Sequence, residues 1–198
     1  MFVQTIKGMT KDAAKLKAQA ERWQVDVRPG AVGFLGGTGG IADDGTFVLF
    51  ARFIDEASAQ ANSSRAEQNA WWEQTVDCFD GEPTFRESSD IRFLFDGGSD
   101  DAGFVQVMEG RAVDRAKAEA FETPELLEQL HKARPDLLGA MRVWFDGGTF
   151  AEVAYFTSEE GARKGEASSE FEAPMQEYQD LYRDMTFIDL RDPILNGP

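Results

Sequence analysis

The chain has 198 residues, of which 42% are hydrophobic and 16 are Phe, enough apolar surface for one large domain or two of about 100 residues. With 20 basic against 36 acidic side chains, a net charge of −16 and no Lys/Arg cluster, nothing favours a nucleic-acid partner. No signal-like segment or long apolar run points to a membrane, and the single Cys78 excludes an internal disulfide and fits a reducing cytoplasm.

In chain order, FVQTIKG (2–8) alternates as a strand, and KDAAKLKAQAERW places Ala13, Leu16, Ala20 and Trp23 on one helical face. Arg28-Pro29 punctuates the chain before an apolar strand, RPGAVGFL (28–35). The next stretch, GGTGGIADDG (36–45), contains Gly37-x-Gly39-x-x-Ala42, a loose dinucleotide pattern. That pattern needs a following helix; here a strand follows, and Asp43-Asp44 would repel phosphate. The stretch therefore reads as a hairpin loop, with a lid over a pocket as the alternative. TFVLFARF (46–53) is a strand, apolar on both faces. A Ser/Ala/Glu-rich helical region follows, with a capping box at Ser64-x-x-Glu67 and the aromatic cluster NAWWEQTVDCF (69–79). PTFRESSDI (83–91) closes this part, and FDGGSDD (95–101) breaks the strand pattern.

The same order then recurs. FVQVMEG (104–110) repeats FVQTIKG 102 residues further on. Asp114 can cap a helix, and Thr123-Pro124 restarts one with Leu126, Leu127 and Leu130 on its buried side. RPDLLGAM (134–141) and TFAEVAYF (149–156) repeat the strands, Ser169-x-x-Glu172 repeats the capping box, and MTFIDLRDP (185–193) closes the copy. Each copy reads β-α-β-β-α-β, the ferredoxin-like unit, with repeats at 1–96 and 103–198 and a linker at 97–102. Helices cover only one face of such a sheet, yet both faces of these strands are apolar. The expected solution is an α+β chain whose two antiparallel sheets pack their open faces together as an intrachain α/β barrel. Such a chain is a monomer acting as a pseudo-dimer.

This order of parts resembles the dimeric α/β-barrel superfamily in a tandem form, and it is similar to antibiotic-biosynthesis-type monooxygenase domains. The resemblance implies a cofactor-independent enzyme holding an aromatic or polyketide-like compound in an apolar pocket, where polar groups favour a phenol-like anion that can pass an electron to oxygen. Residue types suited to that task are Arg52, Asn62 and Tyr155 as catalytic candidates, with Trp71, Trp72 and Glu152 as ligand-binding candidates. By the 103-residue offset Arg52 corresponds to Tyr155 and Leu49 to Glu152, so these positions break the symmetry of the copies. Arg52 and Glu152 also suit a cross-sheet ion pair. Gln4 and Gln106 preserve the symmetry and suggest a paired structural role.

Two alternatives stand beside the enzyme: a non-catalytic binding or scaffold protein with a vestigial pocket, and a haem-binding or haem-degrading protein. Haem-degrading members resemble one another in an axial His near the end of the second helix. Here the sole His131 ends a helix of the second copy, where the helix dipole favours it. One His and one Cys make a zinc or iron site unexpected, so no metal and no cofactor is assigned, with haem left open.

Overall fold

The computed structural model describes the backbone of residues 1–168 and 172–197, with side chains throughout these except 172–175. Two compact units emerge: Met1–Ser89 with Ile194–Pro198, and Asp90–Pro193.

The first unit runs β1 (Phe2–Met9), α1 (Ala13–Arg22), β2 (Phe34–Ile41), β3 (Thr46–Phe53), α2 (Glu56–Ser63), α3 (Ala66–Val76) and β4 (Thr84–Ser88). The second runs β5 (Ile91–Leu94), β6 (Phe104–Ala112), α4 (Arg115–Phe121), α5 (Pro124–Ala133), β7 (Leu137–Trp144), β8 (Thr149–Phe156), α6 (Glu159–Glu166), α7 (Glu172–Asp180) and β9 (Tyr182–Leu190). A last strand, β10 (Ile194–Asn196), returns to the first sheet. The two five-stranded antiparallel sheets have the orders β10-β2-β3-β1-β4 and β5-β7-β8-β6-β9. These are two ferredoxin-like repeats, each with a fifth strand added at one edge.

The added strands explain why the units do not end where the repeats do. β5 follows directly on the first repeat but pairs with β7, and β10 follows the second repeat but pairs with β2. Each repeat by itself would leave the backbone groups of β2 or β7 unpaired at an edge, and the exchanged strand covers them.

Alternation along the strands sorts the cores. In the first unit Phe47 joins Leu16 of α1 with Cys78 and Phe79, while Phe2 and Phe53 pack on Ala59 of α2. Val3, Val48 and Phe50, on the opposite face of the same strands, are also buried. The second unit repeats this arrangement. Phe104, Ala154 and Phe156 pack on Ala162 of α6, and Val105, Val107 and Val153 are buried on the other face. Gln4 donates to Glu87 at 2.6 Å and Gln106 to Asp189 at 3.0 Å, each on the neighbouring strand, so the symmetric glutamines have equivalent carboxylate partners.

Several local expectations change. Residues 36–40 are not a hairpin loop: they form the body of β2, and RPG is a short helical turn before it. Glycine is used there for close approach. At Gly36 (φ +125°) a Cβ would sit 2.5 Å from the Asn196 carbonyl of β10, and at Gly39 it would sit 2.5 Å from the Val48 carbonyl. Ser64 does not cap α3; it ends α2 and donates to the Gln60 carbonyl at 2.8 Å. The box at Ser169 lies outside the described residues. Asp114 and Thr123 do cap α4 and α5, accepting from Lys117 and Leu126 at 3.2 Å. Leu126, Leu127 and Leu130 are only half-buried, and of these Leu127 joins the core. Among the described residues no helix is long and apolar enough to cross a membrane.

Candidate functional site

On the helix-covered face of the second sheet, one row of side chains runs across three strands. Arg92 on β5 lies directly opposite Arg142 on β7, which lies directly opposite Glu152 on β8. Cross-strand partners share a face, so register alone brings these three together. Three further groups close over the row: Glu122 from the two-residue connection between α4 and α5, Tyr178 from α7, and Tyr182 from the start of β9.

Arg142 is the hub, and only 1% of its side chain is exposed. Its Nε donates to Glu152 Oε2 at 2.6 Å, and its Nη1 lies 2.7 Å from Glu122 Oε1. Nη1 and Nη2 donate to the Tyr182 and Tyr178 hydroxyls, both at 3.0 Å. The Tyr182 hydroxyl in turn faces Glu122 Oε1 at 3.4 Å. The rings of Trp144, Phe150 and Tyr182 lie 5.3–5.5 Å from the guanidinium carbon, so aromatic faces wall a desolvated cation. Glu122 Oε2 lies 2.8 Å from Arg92 Nη1, an ion pair without the alignment of a hydrogen bond.

Two arginines and two carboxylates make the cluster neutral overall, which is the condition under which buried charge is tolerated. The titrations follow. Burial pulls the Arg142 guanidinium down, but Glu152, with Tyr178 and Glu122, outweighs it and holds the group above its ordinary value. Burial raises Glu122, and the attraction of Arg142 only partly offsets this. Burial also raises both phenols, Tyr182 to about 12 and Tyr178 well above its ordinary value.

The first unit has nothing of the kind at the equivalent place. The row there is Ile194 on β10, Gly39 on β2 and Leu49 on β3, paired in the same register. The counterpart of Tyr182 is Phe79, which packs with Leu16, Phe47 and Cys78, and with Leu49 and Trp72 at the margin.

Of the residues singled out from sequence, Glu152 enters this cluster, and its charge partner is Arg142 rather than Arg52. Arg52 lies on β3 in the first unit, opposite Gly36, with a buried Nε that makes no hydrogen bond. Tyr155 is buried opposite Gly139 on the face of β8 turned away from Glu152. Asn62 is held by Gln68 and Arg65 at 3.3 and 3.2 Å. Trp71 donates to the Gln19 carbonyl at 2.8 Å, and Trp72 packs on Phe79 and Phe85. Asn62 and Trp71 are linked in the first unit through Gln68 and Trp23, and of the candidates Glu152 alone enters the Arg142 cluster. For Arg142 the sequence does carry a signal, since LLGAMRVW, like TFVLFARF, sets one arginine in an apolar strand. Tyr178 and Tyr182, four apart, carried no signal of a shared target.

His131 lies outside the Arg142 cluster. It is exposed, and its ring stacks on Phe95 with centroids 5.6 Å apart and planes at 13°. Among the described residues no group of three or more His, Cys, Asp or Glu side chains is placed to hold a metal.

No family model and no curated protein matches the chain. Solved structures do. A provisionally named monooxygenase from Fusobacterium nucleatum shares 8% identity with a TM-score of 0.74, over 99% of this chain and 94% of that one. A second from Lactobacillus acidophilus shares 13% with a TM-score of 0.69, over 98% of both chains. An anthrone oxidase-like protein shares 9% with a TM-score of 0.58, over 98% of this chain and 89% of that one. The tandem ferredoxin-like fold is shared with these structures. At such identities the likeness concerns the fold, and the chemistry has to be argued from the chain's own residues.

Proposed function

We propose that the chain binds a small aromatic molecule bearing an acidic oxygen, phenol- or quinol-like, at the Arg142 cluster, and that it acts there as a monooxygenase-like enzyme without a metal. The observation carrying this reading is a buried guanidinium ringed by carboxylates, phenols and aromatic faces in one repeat, where the other repeat is apolar. Such a cluster is costly to bury, and it lies where two copies of one scaffold have diverged.

The protein's own tyrosines support the ligand class. Two phenolic oxygens already rest on Arg142, so a phenol oxygen and a flat ring suit that position. A substrate hydroxyl placed there gives its proton to Glu152 or Glu122, and Arg142 holds the resulting anion. That anion is the electron-rich form that passes an electron to dioxygen, giving a ligand radical and superoxide. The same closed network also suits a protein that binds without catalysis, since every N–H of Arg142 is already engaged. Arg52 and Tyr155 are assigned to no step.

Anthrone, whose enol tautomer carries the phenol-like hydroxyl, serves as the test compound. Fluorescence quenching reads binding, and an oxygen electrode reads consumption in buffer with chelator. Wild type should bind and consume oxygen, Arg142→Met should do neither, and Arg52→Met should match wild type. Binding without oxygen uptake would select the non-catalytic reading. Equal binding by wild type and Arg142→Met would remove the cluster from function altogether.

A further inference from the structure

We infer that Arg92 and Arg142 form a carboxylate-binding fork in which Glu122 is a built-in occupant, exchangeable for the carboxylate of an aromatic acid. This deepens the reading above by adding a second anionic group to the ligand, and it rests on that reading only for the ligand's identity.

The geometry is that of a bound ligand. Both carboxylate oxygens of Glu122 are used, one 2.7 Å from Arg142 Nη1 and the other 2.8 Å from Arg92 Nη1. Its backbone carbonyl also accepts from Arg92 Nη2 at 3.2 Å. Two guanidinium groups on adjacent strands thus clasp one planar anion, the arrangement that recognises carboxylates.

Three observations make Glu122 an occupant rather than a fixed structural member. Arg142 already has a charge partner in Glu152 on the adjoining strand, so Glu122 is not needed to neutralise it. Glu122 Oε2 is buried without an aligned hydrogen bond, so the hold on it is incomplete. Finally, Glu122 sits in the connection between α4 and α5, outside both helices, and can withdraw without breaking a sheet or a helical turn. Arg92 supplies the route. Its side chain is 30% exposed while that of Glu122 is 4% exposed, so the fork reaches from solvent to the buried hub. Phe121 and Tyr178, with ring centroids 6.2 Å apart, flank the connection and suit an aromatic body behind the carboxylate.

A tethered occupant competes with any free ligand at an effective concentration of about millimolar or above. Removing it should therefore tighten binding of a free carboxylate. The experiment titrates benzoate into full-length wild type, Glu122→Ala and Glu122→Gln by calorimetry. In parallel, thermal melts are recorded in acetate and in chloride at equal ionic strength.

Glu122→Ala should bind benzoate at least tenfold more tightly than wild type, and acetate but not chloride should raise its melting temperature. Glu122→Gln keeps the volume and loses the charge, so it should also bind benzoate more tightly and serves if the alanine variant fails to fold. Equal benzoate affinity in wild type and a folded variant, or equal effects of acetate and chloride, would overturn the inference. Anthrone binding by wild type that is lost in Arg142→Met would stand in either case, so the two readings fail separately.

Discussion

Breaking the Arg142–Glu152 pair in two ways gives opposite results if the cluster is a balanced buried unit. Arg142→Met alone leaves Glu152 and Glu122 facing only Arg92, and Glu152→Leu alone leaves two arginines facing one carboxylate. Each single change strands a charge at a position less than 9% exposed, and such changes cost about 3–5 kcal/mol. The double change removes one charge of each sign, leaves Glu122 paired with Arg92, and restores the apolar character that Gly39 and Leu49 have in the first unit. It should fall within about 1–2 kcal/mol of wild type, because apolar replacement of a whole buried pair is often neutral or stabilising. The coupling energy between the two positions is then about 4 kcal/mol or more, above the usual range for contacting residues. Urea unfolding measures it, with hydrogen exchange at the β7 and β8 amides assigning the change to the second unit. Additivity of the two single changes to within about 0.5 kcal/mol would refute the reasoning, since it would mean that neither charge depends on the other.

Three further outcomes follow from the same structure. The Tyr182 phenol is raised from 10.0 to about 12, so its contribution is complete below pH 10 and is lost as pH rises through about 12. Unfolding midpoints measured along that range should therefore fall by an amount equivalent to about 2–3 kcal/mol, and Tyr182→Phe should remove this part of the slope. Cys78 is fully buried and burial raises its thiol, so a thiol reagent such as DTNB should leave the native protein unmodified and react stoichiometrically in urea. Within β2, Gly37→Ala should be neutral or slightly stabilising, as its Cβ would meet ordinary contacts at 3.5–3.7 Å, whereas Gly39→Ala should cost about 1–3 kcal/mol through its 2.5 Å clash with the Val48 carbonyl; thermal melts of the two variants separate the cases.

The fold was legible because strand alternation and the 102-residue repeat are properties of local sequence, and strands in register tolerate length changes only between them. β2 was misplaced because glycine carries no hydrophobic signal: GGTGG reads as a loop, yet it is a strand whose missing side chains admit β10 and the β3 backbone. The site was legible only in part for a similar reason. Glu152 stands out by differing from Leu49, but its partner Arg142 is matched to Gly39, a glycine inside an apparent loop that offers no side chain to contrast with it. Glu122 and Tyr178 come from connections and helices whose meeting point is decided by tertiary packing, for which no spacing rule exists.

The row Arg92–Arg142–Glu152 and its counterpart Ile194–Gly39–Leu49 occupy matched positions, so the two rows are alternative ways to fill one site in the scaffold. The charged version cannot be assembled from a four-stranded repeat alone. Arg142 with Glu152 closes a pair, but Glu122 then adds a third buried charge with no counter-ion, and only the exchanged strand β5 supplies one through Arg92. In the first unit the exchanged strand brings Ile194 instead, and a Glu122-like carboxylate there would stand alone against an apolar row at a cost of several kcal/mol. The fifth strand is therefore more than an edge cover: it decides which repeat can carry a buried carboxylate.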